Sequence, residues 1–121
     1  MSIALVVDDS LTTMKILSCC LKQEGIDVLT AQNAVEALAK ISINKPDVII
    51  LDVVLPDRSG FEICRDLKAQ AETSNIPIVI CSTKATEMDK FWGKKQGADA
   101  YLVKPIDQEE LVKTVQRFIN I

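Results

Sequence analysis

The stretch from residue 48 to residue 60 is VIILDVVLPDRSG, and its pattern indicates the fold class. It opens with four apolar residues, Val48–Leu51, and changes abruptly at Asp52. A short, continuous apolar run is typical of a strand that is covered on both faces, as in a parallel sheet. The turn-forming residues at 56–60 predict a loop. The stretch therefore predicts a buried strand with a carboxylate at its carboxyl end.

Similar apolar runs alternate with amphipathic segments along the rest of the chain. We predict further strands at Ile3–Val7, Ile26–Thr30, Ile78–Cys81 and Ala100–Val103, of which Ile26–Thr30 is an edge strand. Helices are predicted between Ser10 and Gly25, between Asn33 and Asn44, and over Phe61–Ala71, Glu87–Gln96 and Glu109–Ile119. This alternation predicts an α/β fold, a (βα)5 doubly wound five-stranded parallel sheet.

Apolar residues at helical spacing predict the helix faces that pack on the sheet. The predicted buried stripes are Met14, Leu17 and Leu21; Val35, Leu38 and Ile41; Phe61, Cys64 and Leu67; and Leu111, Val115 and Phe118. Four cysteines lie in such apolar segments, which predicts reduced, buried thiols at Cys19, Cys20, Cys64 and Cys81. The chain has no histidine and no CxxC motif, so we expect no zinc site.

Length and charge narrow the range of functions. The 121 residues contain no linker or low-complexity stretch, which predicts one domain over residues 1–121. The net charge is −3 and the basic residues are scattered, so nucleic acid is not expected as a main partner. The apolar runs are too short to span a membrane, and no signal peptide is evident. We therefore expect a cytoplasmic protein without a membrane segment.

Polar side chains follow four of the predicted strands at the point where each strand ends. They are Asp8 and Asp9, then Asp52, Ser82 and Lys104. In an open doubly wound sheet the functional site lies at the carboxyl ends of the strands, so we expect these side chains to converge. Clustered carboxylates repel one another and call for a cation, and a site of hard oxygen ligands suits Mg²⁺. With Lys104 and Ser82 beside it, such a pocket can hold a small tetrahedral anion.

The same motifs resemble the receiver domains of two-component response regulators. The resemblance rests on Asp8-Asp9, on the stretch from Leu51 to Gly60, on Ile80–Thr83 and on Val103–Pro105, and it covers the whole chain in the right order. Each motif is weak alone, but the four together are specific. The family implies a flavodoxin-like strand order of 2-1-3-4-5, for which the chemotaxis receiver is a standard example.

The resemblance also implies roles for the acidic residues. Asp52 matches the aspartate that accepts a phosphoryl group. Asp9, Asp52 and the backbone carbonyl of Val54 match the ligands of Mg²⁺, with Asp8 in the outer shell of the metal. On this basis the chain is a signalling switch rather than an enzyme, and it assists only its own phosphorylation and dephosphorylation.

Four residues further along the chain match the family's switch machinery. Ser82 resembles the hydroxyl that bonds the phosphoryl oxygens, and Lys104 resembles the lysine that pairs with them. Tyr101 resembles the aromatic residue that changes rotamer on the output face. Pro105 should follow a cis peptide bond, which is uncommon outside X-Pro sequences.

The partners follow from the same comparison. Because the chain lacks histidine, the phosphoryl group should come from a sensor histidine kinase or a phosphotransfer domain. Output should pass to a downstream protein through the surface formed by Glu87–Gln96, Ala100–Val103 and Glu109–Ile119. We expect a monomer, with a weak dimer as the alternative.

The segment from Phe91 to Tyr101 resembles regulators of pilus-based twitching and phototactic motility. Within it, Trp92 is either an anchor for a partner or a core residue beneath the helix.

Three residues near the predicted pocket depart from the common receiver pattern. Val54 cannot orient a hydrolytic water, Thr83 narrows the route to the pocket, and Lys84 can reach toward the phosphoryl group. These departures bear on how long the phosphoryl group persists. We interpret Asp57 as a turn residue without a clear partner.

Other classes of protein fit the sequence less well. An aspartate-nucleophile phosphatase of the haloacid dehalogenase type needs Asp-x-Asp where this chain has Asp52-Val53-Val54, and it needs a cap domain. A nucleotide or flavin binder needs a Ser/Thr/Gly-rich loop where Asp8 and Asp9 would repel phosphate. A receiver-like domain that only docks partners would not need the complete acidic set and lysine.

Overall fold

The computed structural model describes residues 2–119, in which five parallel strands alternate with five helices. The strands pair in the order β2-β1-β3-β4-β5, which confirms the predicted fold class and topology. The strands are β1 Ile3–Val7, β2 Asp27–Ala31, β3 Val48–Leu51, β4 Ile78–Ser82 and β5 Ala100–Val103. The helices are α1 Leu11–Gln23, α2 Ala34–Ile43, α3 Gly60–Ala69, α4 Glu87–Lys95 and α5 Gln108–Gln116.

The sheet separates two apolar clusters because successive side chains of a strand point to opposite faces. On β3, Ile50 joins the cluster that α1 and α5 cover, and Ile49 joins the cluster that α2 and α3 cover. Both side chains are buried. This double coverage explains why the strands are continuous apolar runs, as the sequence predicted.

Three strands have the predicted bounds, and two differ in a way that the pairing explains. β2 lies one residue later than expected, because Asp27 to Ala31 pair with Ile3 to Val7. β4 continues to Ser82, which pairs with Val103 at the end of β5. Among residues 2–119, no helix is both long and apolar enough to cross a membrane.

Two of the predicted helix faces need correction. Val35 is 72% exposed, and the face of α2 that packs on the sheet is formed by Ala34, Ala37 and Ile41. Ala34, Ala37 and Ile41 recur at the spacing of one helical face, whereas Val35 lies about 100° around the helix from Ala34. On α3, Phe61 is only partly buried, while Ile63 is buried beside Cys64 and Leu67. The stripes on α1 and α5 are largely as predicted, with Phe118 partly buried.

The prediction of buried thiols holds for three of the four cysteines. Cys20, Cys64 and Cys81 are buried, but Cys19 is exposed on α1, so that part of the prediction was wrong. All four are free. Burial is the main cause that raises the pKa of Cys64 to about 11 and that of Cys81 to about 12.

Candidate functional site

Three carboxylates meet where β1 and β3 end side by side. Val7 and Leu51 are register partners, so Asp8 and Asp52 leave the sheet together. The Asp52 N–H donates to the carbonyl of Val7 at 3.0 Å, which extends the pairing to the site itself. One oxygen from each of Asp8, Asp9 and Asp52 can be chosen so that all three lie within 4.8 Å of one another. Asp8 and Asp52 are buried, whereas Asp9 is exposed.

The ammonium of Lys104 bridges two of these carboxylates. Its Nζ lies 2.7 Å from Oδ2 of Asp8 and 3.0 Å from Oδ2 of Asp52, and its side chain is 14% exposed. Burial acts against the charged form, but the hydrogen bonds to Asp8 and Asp52 outweigh it and raise the pKa of Lys104. The lysine is therefore a fixed positive charge in the pocket. The Lys104–Pro105 peptide bond is cis.

Backbone N–H groups hold the remaining oxygens of the two buried carboxylates. Oδ1 of Asp8 accepts from the N–H of Ser10 at 2.9 Å, and Oδ1 of Asp52 accepts from the N–H of Val54 at 3.3 Å. Both carboxylates are thus fixed by a backbone group on one oxygen and by the lysine on the other. This arrangement leaves the exposed Asp9 as the carboxylate that can reorient toward an incoming ion.

The loop after β3 is closed tightly at its base. The N–H of Gly60 donates to the carbonyl of Val53 at 2.8 Å, and Val54 and Ser59 form an isolated antiparallel bridge. Only glycine fits at position 60, since a Cβ there would lie 2.1 Å from the carbonyl oxygen of Asp52. No hydrogen bond to the Val54 carbonyl is found within residues 2–119.

These oxygen atoms fit a divalent cation. Three carboxylates within reach of one another, with an unused backbone carbonyl nearby, form the hard oxygen set that Mg²⁺ and Mn²⁺ take in proteins. Asp9 and Asp52 would hold the ion directly with the Val54 carbonyl. Asp8 is the more deeply buried of the two carboxylates that bind Lys104, with 1% exposure against 6% for Asp52, and it suits an outer position.

Ser82 lies buried at the end of β4, where its carbonyl accepts from the N–H of Lys104 at 2.9 Å. Its Oγ accepts from the N–H of Lys84 at 3.3 Å, and the carbonyl of Lys84 accepts from the hydroxyl of Tyr101 at 2.7 Å. One residue of the β4–α4 loop therefore joins the serine to the aromatic side chain of β5. Burial is the main cause that raises the pKa of Tyr101 to about 12.

The ring of Tyr101 lies against α4 at Gly93, where a Cβ would come within 2.9 Å of the ring. Trp92 is 51% exposed on the same helix, so the alternative that it is a core residue was wrong. Met88 and Phe91 are also more than half exposed. Together they form an apolar outer side of α4, which leaves the partner-anchor interpretation of Trp92 as a prediction.

The interpretation of Asp57 as a turn residue without a partner was wrong. Its Oδ1 accepts from the N–H of Ala34 at 2.9 Å, and its Oδ2 accepts from the N–H of Val35 at 3.0 Å. The hydrogen bond from Ala34 is the largest of the backbone contacts that lower the pKa of Asp57. No local signal could reveal this, because the partners lie 22 and 23 residues earlier in the chain.

This fold and this site define a class of protein. The chain belongs to the response regulator receiver domain family, whose model matches residues 4–116. Receiver domains are signalling switches of two-component systems, and they work with a histidine kinase or phosphotransfer partner and with downstream targets. They bind a divalent metal ion. Membership of this family excludes the phosphatase and nucleotide-binding classes considered above.

Individual relatives are similar over nearly the whole chain. Protein PilH of Pseudomonas aeruginosa is 48% identical over 111 residues, which cover 92% of either chain. The structure of chemotaxis protein CheY4 of Vibrio cholerae matches with a TM-score of 0.91 at 39% identity, over 98% of this chain and 99% of that one. A two-component response regulator from Clostridium difficile matches with a TM-score of 0.91 at 28% identity, over 98% and 95% of the two chains.

Proposed function

We propose that this chain is a phosphorylation switch in which Asp52 accepts the phosphoryl group. The observation that carries the proposal is the position of Asp52, which is buried between the Lys104 ammonium and two further carboxylates. A carboxylate in this setting has a fixed cation and two further carboxylates that can help to hold a metal ion close to it. The cation and the metal ion are both needed to neutralise the charge of a phosphoryl group during transfer.

The reaction is a displacement at phosphorus. A carboxylate oxygen of Asp52 forms a bond to the phosphorus of a phosphohistidine, the phosphorus–nitrogen bond breaks, and the imidazole of the donor leaves with that electron pair. Asp9, Asp52 and the Val54 carbonyl would hold Mg²⁺, which would supply positive charge to offset that of the phosphoryl group. Lys104 moves its ammonium from the carboxylate oxygens to a phosphoryl oxygen, and Ser82 donates its hydroxyl to another. The chain has no histidine of its own, so the donor is a separate histidine-containing protein or domain.

The signal leaves the pocket through Ser82. When its hydroxyl turns toward the phosphoryl group, the hydrogen bond from the Lys84 N–H weakens and the β4–α4 loop shifts. The Tyr101 hydroxyl donates a hydrogen bond to the carbonyl of Lys84, so the Tyr101 side chain responds to the shift of the loop. The output surface is the outer side of α4, β5 and α5, where a downstream protein binds. A switch of this kind needs only a few kcal/mol of difference between its two states.

The setting we propose is a motility pathway in the cytoplasm. Similarity to CheY4, a chemotaxis protein, and to PilH supports the proposed motility pathway. The free, buried thiols of Cys20, Cys64 and Cys81 support a reducing compartment. We propose that residues 1–121 act as one receiver domain that is monomeric before phosphorylation.

Intact mass measurement after incubation with acetyl phosphate tests the proposal. With Mg²⁺ we expect one added phosphoryl group, and with a chelator we expect none. Neutral hydroxylamine should remove the group, because it cleaves acyl phosphates and leaves phosphoserine and phosphothreonine intact. Labelling that hydroxylamine does not remove would refute an aspartyl phosphate.

A further inference from the structure

We propose that Asp57 is a positioning residue for the metal site, which it serves by anchoring the β3–α3 loop to the amino-terminal end of α2. This inference rests on the proposed function, because it assigns a role in Mg²⁺ binding. The ion would be held by Asp9, Asp52 and the carbonyl of Val54. Asp57 would touch neither the ion nor the phosphoryl group, and it would act only through the loop.

In the loop that carries Val54, Leu55 packs against the apolar cluster that α2 and α3 cover, and the loop is closed at its base. Its two sides are joined there by the bond from Gly60 to Val53 and by the pairing of Val54 with Ser59. A closed base of this kind can still twist as a unit. The direction of the Val54 carbonyl therefore depends on what holds the tip of the loop.

Two adjacent residues at the tip of the loop, Asp57 and Arg58, contact neighbouring helices. Arg58 forms an ion pair with Asp66 at 2.5 Å, which ties the tip to α3. The side chains of Arg58 and Asp66 are 33% and 39% exposed, so this ion pair is partly solvated and holds the tip only weakly. Asp57 instead accepts two backbone N–H groups of α2, an element on the other side of β3 along the chain. Asp57 therefore joins the tip of the loop to α2, a part of the fold separate from α3.

The contact between Asp57 and the start of α2 is favourable in its electrostatics as well as in its geometry. The N–H groups of Ala34 and Val35 belong to the first turn of α2 and have no partner within the helix. A carboxylate placed on them is stabilised by the helix dipole. Asn33 caps the same helix end separately, by accepting from the N–H of Glu36 at 2.8 Å. The helix therefore has its own cap, and Asp57 adds a connection to the loop.

Mg²⁺ titration calorimetry on four proteins tests the inference. The proteins are the wild type, Asp57→Ala, Asp57→Asn and the matched control Asn33→Ala, which weakens the same helix end without touching the loop. Removing a helix-capping side chain typically changes a folding equilibrium about fivefold. We expect a change of similar size in the Kd for Mg²⁺, because the two equilibria are coupled. We expect the Kd for Mg²⁺ to rise about fivefold in Asp57→Ala and to stay at the wild-type value in Asn33→Ala.

The asparagine variant separates position from charge. Asn keeps an oxygen that accepts a backbone N–H but carries no charge, so Asp57→Asn should bind Mg²⁺ more nearly like the wild type than like Asp57→Ala. If it binds as weakly as Asp57→Ala, the carboxylate acts through its charge and the positioning role is wrong.

A measurement on the wild type alone does not depend on the folding of any variant. Because coupling is reciprocal, Mg²⁺ must slow hydrogen exchange at the amides of Ala34 and Val35 more than at Glu36, which Asn33 caps. Equal effects at the three amides, or an unchanged Kd in Asp57→Ala, would overturn the inference while leaving the proposed function intact. A wild type that binds no Mg²⁺ would overturn both.

Discussion

The ammonium of Lys104 lies 3.0 Å from Oδ2 of Asp52, which is one of the two carboxylate oxygens that can attack phosphorus. The same nitrogen lies 2.7 Å from Oδ2 of Asp8. The lysine therefore offsets part of the negative charge of the two carboxylates, and on the phosphorylation that we propose it would follow the negative charge to the phosphoryl oxygens. On this proposal the lysine has a partner in both states, and its position depends on the state of Asp52.

Replacing this lysine should make the protein depend on a metal ion for its stability. Lys104→Met keeps most of the apolar stem and removes the charge, which leaves two buried carboxylates without their cation. We expect urea unfolding in the presence of a chelator to show a loss of about 3 kcal/mol, as for the removal of one partner of a buried ion pair. Added Mg²⁺ should recover more stability in the variant than in the wild type. Equal stability of the two proteins in chelator would contradict this account.

Asp9 should matter for the metal ion more than for the fold. Its side chain is exposed, so Asp9→Ala should keep the circular dichroism spectrum of the wild type. The Mg²⁺ concentration for half-maximal labelling by acetyl phosphate should rise at least about tenfold. Asp8→Ala should show a smaller effect on the same titration. Normal labelling of Asp9→Ala at low Mg²⁺ would show that the ion binds elsewhere.

Ser82 should couple the phosphoryl group to the output surface. Ser82→Ala removes the hydroxyl that accepts from Lys84 and keeps the nucleophile, so it should still be labelled by acetyl phosphate. The fluorescence of Trp92, the only tryptophan, should change less on labelling than in the wild type. The comparison requires equal labelling of both proteins, checked by intact mass. Identical fluorescence changes would mean that the signal leaves the pocket by another route.

The cysteines should differ sharply in reactivity. Only the thiolate reacts with iodoacetamide, and burial raises the pKa of Cys64 to about 11 and that of Cys81 to about 12. The pKa of Cys20 is also raised, mainly by burial. At pH 8 the folded protein should therefore take one label, at Cys19, which is exposed, and four labels in denaturant. Two or more labels on the folded protein would show that the core opens readily.

The sequence predicted the sheet and the pocket because both depend on local patterns. Each strand is an apolar run that stops at a polar residue, and parallel strands bring those residues to one edge of the sheet. Asp52 and Lys104 are 52 residues apart in the chain, yet each was recognisable from its place at a strand end.

Contacts that depend on tertiary packing could not be predicted from the sequence. Asp57 follows a proline in a turn-rich loop, and nothing near it indicates that its carboxylate caps α2. On α2, the apolar spacing permits a buried face with Val35 or one with Ala37, and only the packing on the sheet shows that the alanine is buried. For Trp92, size and apolarity suit the core and a docking surface equally well, so only the structure could show that the side chain is exposed.

The most direct measurement of the central claim is the intact mass of Asp52→Asn after incubation with acetyl phosphate and Mg²⁺. Asparagine keeps the size and shape of the side chain but lacks the nucleophilic oxygen pair. Asp27→Asn, at an exposed carboxylate at the start of β2, is the matched control. We predict one added phosphoryl group in the wild type and in Asp27→Asn, and none in Asp52→Asn. Labelling of Asp52→Asn at the wild-type level would contradict the assignment of Asp52 as the phosphoryl acceptor.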